Sequence, residues 1–108
     1  MRHFIVTITY LAPIGTFGEA VQRHRAYLDL GYHSGLLLMS GPKTPPIGGI
    51  VVARAGSEAE IRRFFDQDPY KLENLATHEF TEFSPVKHQA LLADWVASAT
   101  SGAPTAPV

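Results

Sequence analysis

The sequence has no cysteine. That excludes disulfides and thiolate metal sites, and fits a reducing compartment. It has no long basic run, and its formal net charge is −1. Such a balance argues against nucleic acid or an anionic membrane surface as the main partner. No apolar run is long enough to span a bilayer. No signal peptide is read ahead of Met1-Arg2-His3-Phe4, which enters a strand pattern at once. A cytoplasmic location is the expectation. Charged residues are 18 % and hydrophobic residues 45 %, the balance of a globular and not a disordered chain. A length of 108 residues makes one domain with a modest core, to which oligomerisation would add.

What is present is a regular alternation of patterns. Phe4, Val6, Ile8 and Tyr10 alternate with Ile5, Thr7 and Thr9, a β-branched strand of period two. After a loop, Thr16 and Glu19 form a T-x-x-E capping box and predict a helix to about Ser34, with Gly35 as its stop. At 100° per residue, Phe17, Ala20, Val21, His24, Tyr27, Leu28 and Gly31 share one face. Arg23, Arg25, Asp29 and His33 share the other. Leu36 to Ser40, between Gly35 and Gly41-Pro42, reads as a buried strand, and Ile50 to Arg54 as a second that pairs with it as a hairpin. Ser57 and Glu60 repeat the capping box and open a second helix ending near Asp68. A short further turn is expected from Pro69 to Leu75. Thr77 to Phe83 is a fourth strand. Ser84-Pro85 opens a third helix to about Ala99. Residues 1–99 are thus the folded domain, and 100–108, rich in Pro, Ala, Ser and Thr, a disordered tail.

The order is strand, helix, strand, strand, helix, strand, then an added helix. This is the ferredoxin-like βαββαβ arrangement of the α+β class, with an antiparallel sheet covered by helices on one face. The central strands are apolar on both faces, so the other face needs cover. A second copy of the same sheet is the expected cover, and the chain is expected to be a homodimer or higher homo-oligomer.

The second helix carries the chemical clue. Ile61, Phe64, Phe65 and Asp68 fall at i, i+3, i+4 and i+7, so an acid ends an apolar stripe just before Pro69. A carboxylate aimed at a core needs a partner. His24 sits mid-stripe on the first helix, and the topology sets the two helices side by side. A carboxylate beside an imidazole fixes its tautomer and orientation, the way a general base is supported. Ser40, Tyr70 and, less directly, Tyr10 are candidates to bind substrate. Each has a plainer reading. A core histidine is usually a hydrogen-bonded structural residue. An aspartate before proline is also a helix terminator accepting backbone hydrogen bonds. Ser40 alone is a small strand residue.

His24-Arg25-Ala26-Tyr27-Leu28, then Gly35-Leu36-Leu37-Leu38-Met39-Ser40-Gly41-Pro42, then Asp68-Pro69-Tyr70 resemble the motifs of the YciI-like family over roughly Phe4 to Pro85. The resemblance implies a dimeric α+β barrel similar to muconolactone isomerases and cofactor-free monooxygenases. It also implies a His–Asp active-site pair at His24 and Asp68. The helix from Pro85 to about Ala99 extends beyond the usual family core.

The leading expectation is a small enzyme with no cofactor and a small organic substrate. His24 acts as general acid and base, oriented by Asp68, in isomerisation or elimination. The alternatives are a non-catalytic metabolite-binding or assembly module, and a cofactor-free monooxygenase on the same fold. No metal site is expected: His3, His24, His33, His78 and His88 show no H-E-x-x-H-like spacing. Gly48-Gly49 lacks the pattern of a phosphate loop.

Overall fold

A computed structural model of the protein describes residues 1–97. Four strands form one antiparallel sheet in the order β2-β3-β1-β4: β1 (Arg2–Tyr10), β2 (Leu37–Pro42), β3 (Gly48–Ala55) and β4 (Ala76–Phe83). Helices α1 (Ala20–His33) and α2 (Glu58–Asp66) make the two crossovers, and the short α3 (Pro69–Leu72) follows α2. This is the ferredoxin-like order expected from the pattern of elements.

Strand alternation decides which face is core. Phe4, Val6 and Ile8 of β1 are buried, and the register places them opposite Ala53, Val51 and Gly49 of β3. Across β4 the inward positions are Phe80, His78 and Ala76, opposite Val6, Ile8 and Tyr10. Ile61 and Phe65 of α2 and Leu28 of α1 close this core. Each such side chain contributes roughly 1.5–3 kcal/mol by leaving water. Gly31 lets α1 approach closely, since a Cβ there would lie 2.7 Å from Leu37 and 2.8 Å from Phe64. The Tyr27 hydroxyl donates to the Phe64 carbonyl and ties α1 to the end of α2.

Several local expectations are corrected. Thr16 does not cap α1. It ends a separate 3-10 turn (Ile14–Thr16), and its hydroxyl donates to the Pro13 carbonyl. Gly18, with φ of +58°, breaks the chain before α1 begins. The second box holds in part: the Ser57 hydroxyl accepts from the Glu60 amide, while Glu60 reaches back to the amide of Gly56 and not to that of Ser57. The strand at Leu36–Ser40 is not buried. As β2 it lies at the sheet edge, where only Leu37 is buried and Met39 is 55 % exposed.

The C-terminal helix is present and begins later than expected. Residues 84–89 are irregular, so Ser84-Pro85 opens no helix; a 3-10 turn (Ala90–Leu92) leads into α4 (Ala93–Ala97). The expected end of that helix near Ala99 and the expected tail at 100–108 lie outside the described residues. Trp95 of α4 packs on His3, and the Arg54 guanidinium stacks over its ring, 4.1 Å from the ring centre. His3 and Arg54 pair across β1 and β3 on the face away from α1 and α2. Therefore α4 covers one end of the open sheet face. Ile5, Ile50 and Val52 along that face are only half-buried. Among the described residues, no helix is long and apolar enough to cross a membrane.

Candidate active site

Asp68 is the centre of the site, and it does not lie on α2. That helix ends at Asp66, with Gln67 as its cap, and Asp68 has the extended backbone of the residue that caps α3. Its Oδ1 accepts from the Tyr70 amide at 3.0 Å, and Pro69 occupies the first helical position, where its missing N–H costs nothing. The cap turns the carboxylate inward, and Asp68 has no exposed surface at all. The helix-terminator reading and the paired-carboxylate reading are both realised in one side chain.

Two imidazoles share this carboxylate. His24 Nδ1 lies 2.7 Å from Oδ1, and His78 Nε2 lies 3.0 Å from Oδ2. Burial pushes the Asp68 carboxyl up, but the hydrogen bonds from His24 and His78, with the Tyr70 amide, outweigh it and hold the carboxyl below its ordinary value. Asp68 is thus an anion at neutral pH, able only to accept. It follows that His24 carries its proton on Nδ1 and His78 on Nε2, when neutral. The remaining nitrogens differ. His24 Nε2 has no hydrogen-bond partner among the described residues, and His24 lines a cleft. His78 Nδ1 is buried with no partner among the described residues.

The cleft encloses about 390 Å³ between α1, the end of β1 and the facing ends of β2 and β3. Its apolar lining includes Ile8, Leu28 and Val51. His24, Tyr70, Tyr10 and Ser40 all line it, so the structure brings together four of the five expected site residues at one surface. The fifth, Asp68, stands behind His24. Tyr70 stacks flat on the His24 ring, with centroids 3.8 Å apart and planes 2° apart. Tyr10 and Phe17 meet Tyr70 edge-on and fix its position. Burial, then the neighbouring Tyr10 and Asp68, push the Tyr70 hydroxyl up to about 12, so it stays protonated and can donate. Burial likewise raises Tyr10. Ser40 is the least free: its hydroxyl is 2.6 Å from that of Tyr32.

Two residues were not singled out by their sequence context. His78 stands in phase with Ala76 and Phe80 on the inward face of β4, and that period-two signal was readable. Helical periodicity puts Arg25 on the polar face of α1, yet it lines the cleft. Nothing in the helical periodicity carried that, because a long side chain on the edge of a stripe can reach around it. Among the described residues no group of three or more His, Asp or Glu is arranged to hold a metal ion.

Comparison with known proteins agrees with the fold. The family model of the YCII-related domain matches residues 15–84, which include His24, Ser40, Asp68 and Tyr70. The structure resembles that of 5-chloro-2-hydroxyhydroquinone dehydrochlorinase (TftG) from Burkholderia phenoliruptrix AC1100, solved in complex with 2,5-dihydroxybenzoquinone. The TM-score is 0.55 at 19 % identity, over 80 % of this chain and 95 % of that one. At that identity the likeness is one of fold. No curated protein matches the chain significantly.

Proposed function

The chain belongs to the family defined by the YCII-related domain, and from that starting point we propose that its cleft is the active site of a small acid–base enzyme. The observation that carries this reading is the placement of His24. One ring nitrogen is tied to a fully buried carboxylate at 2.7 Å, and the ring lines a cleft of ligand size. Such a ring presents an unshared electron pair at Nε2 in a fixed direction.

In the proposed step, Nε2 takes a proton from a carbon next to a carbonyl. The electron pair moves to the carbonyl oxygen and leaves an enolate, and His24 becomes an imidazolium balanced by Asp68. Return of the proton to a different carbon gives isomerisation. Departure of a leaving group from the neighbouring carbon gives elimination. The Tyr70 hydroxyl, protonated at neutral pH, is the donor available to the enolate oxygen, with Tyr10 and Ser40 at the cleft wall. The fold neighbour named as a dehydrochlorinase makes elimination the form to try first.

The test is hydrogen–deuterium exchange at carbon, followed by NMR in D2O with a panel of small ketones and hydroxyquinones. Exchange is expected in the wild type and lost by about 100-fold or more in His24→Ala. Exchange that persists in His24→Ala would exclude His24 as the base.

A second reading has its own observation. Asp68 caps α3 and holds two histidines, as a structural hub would. On that reading the cleft binds a small metabolite without turnover, and wild-type protein binds panel members with no exchange. We further infer a homodimer formed through the open sheet face, where Ile5, Ile50 and Val52 are half-buried and Phe83 is 41 % exposed. Sedimentation equilibrium giving a monomer at micromolar concentration would exclude it.

A further inference from the structure

The polar lining of the cleft has one sign. His24, Arg25, Tyr10, Ser40 and Tyr70 line it, and no aspartate or glutamate among the described residues does. Arg23, two residues before Arg25 on α1, pairs with Glu73 at 2.9 Å. Arg25 has neither an ion pair nor a hydrogen bond among the described residues. Its charge is felt inside the cleft, where it favours the ionised form of both Tyr10 and Tyr70 against the larger opposing effect of burial. A guanidinium stays charged at every working pH, matches a carboxylate with two parallel donors and can also donate to a single enolate oxygen. Ile8, Leu28 and Val51, which also line the cleft, are apolar and suit a ring or a short branched chain.

We propose that the cleft takes a small organic anion, a carboxylate or ionised enol of about one ring in size, with its negative group held by Arg25 and its apolar body against Ile8, Leu28 and Val51. This rests on the reading of the cleft as the substrate site and deepens it. The anionic group sits toward the mouth at Arg25, and the carbon that exchanges its proton sits deeper, toward His24. Arg25 is then a binding residue that decides which substrates enter, and the adjacent His24 does the chemistry.

Binding is measured by titration calorimetry and by NMR of the His24 ring, with benzoate, cyclohexanecarboxylate and acetoacetate, each against its neutral amide. At least one acid is expected to bind ten-fold or more tightly than its amide, with the preference shrinking as salt rises. Arg25→Gln is expected to abolish the preference, and Arg25→Lys to retain part of it. Arg23→Gln, which removes a cation paired outside the cleft, is expected to leave it unchanged. Arg25 is exposed, so its variants should fold, and a thermal melt checks this. The proposal is overturned if no acid is preferred over its amide, or if Arg25→Gln keeps the preference. His24→Ala separates the two readings. If it still prefers the acid while no exchange is found in the wild type, the anion site stands and the general-base reading falls. If exchange depends on His24 and no anion is preferred, the reverse holds.

Discussion

Two histidines grip one carboxylate from opposite sides, and they are placed for different work. His24 comes from α1 and keeps a nitrogen at a cleft, with Tyr70 stacked on its ring. His78 comes from β4, is 3 % exposed at its side chain, packs on Phe65 and buries a nitrogen without a partner. An unpaired buried polar atom is a cost. The cost on the His78 side is offset by what Nε2 does, which is to hold Oδ2 so that Oδ1 stays aimed at His24. The difference teaches that hydrogen bonding to the same acid does not make two residues equivalent. Access to a substrate decides which of them can be a base.

The largest expected effect is on the shared group. Asp68→Ala leaves two imidazoles and the start of α3 without their acceptor, and is expected to cost about 3–5 kcal/mol in urea unfolding. A cost under about 1 kcal/mol would show that the carboxylate does not hold the two sides together.

Replacing each histidine in turn separates them. His24→Phe and His78→Phe each give up a hydrogen bond to a charged group, and each is expected to lose about 1.5–3 kcal/mol of stability. Carbon-proton exchange is expected to fall about 100-fold or more in His24→Phe and to stay within about ten-fold of wild type in His78→Phe. Equal losses of exchange would erase the distinction drawn between them.

Acid should weaken the centre. The Asp68 carboxyl sits lower in the folded protein than its ordinary value of 3.8. Its contribution to stability is therefore full above about pH 3.8 and is lost as the pH falls through the lower, folded-state value. Denaturation measured between about pH 5 and pH 2 should show wild type losing stability more steeply than Asp68→Asn, which has no proton to take up. Parallel slopes would mean that the histidines do not depress this acid.

The smallest effect is expected on the cleft side alone. Tyr70→Phe keeps the ring stacked on His24 and removes only the hydroxyl. Stability should change by less than about 1 kcal/mol, while ligand affinity or exchange falls several-fold. A large loss of stability would place the Tyr70 hydroxyl in the core network instead of the cleft.

Much of this architecture was legible in the residues. Alternation in Phe4 to Tyr10 and the apolar stripe with His24 at its centre gave strand, helix and the inward direction of the imidazole. Ser57 and Glu60 marked α2 correctly, because the serine hydroxyl does accept from the Glu60 amide. The same pattern at Thr16 and Glu19 misled, because Gly18 adopts a left-handed backbone that separates the threonine from the helix. The apolar run at Leu36 to Ser40 looked buried, but burial of a strand depends on whether it lies at the middle or the edge of the sheet, which its own residues do not state. The helical count that put Asp68 on the α2 stripe reached the right direction by a geometry that is absent: the chain leaves α2 at Asp66 and turns the side chain inward as a cap.

The sequence by itself determined the element order, the covered face of the sheet and the inward direction of His24. These follow from periodicity along the chain and from the order of the elements. Only the tertiary structure decided that His78 shares the acid from the other side, and that Arg25 turns into the cleft. It alone also decided that His24, Tyr10, Tyr70 and Ser40 border one space. Cavities and shared hydrogen-bond partners are made by residues far apart in the chain, and no spacing along the chain records the volume left between them.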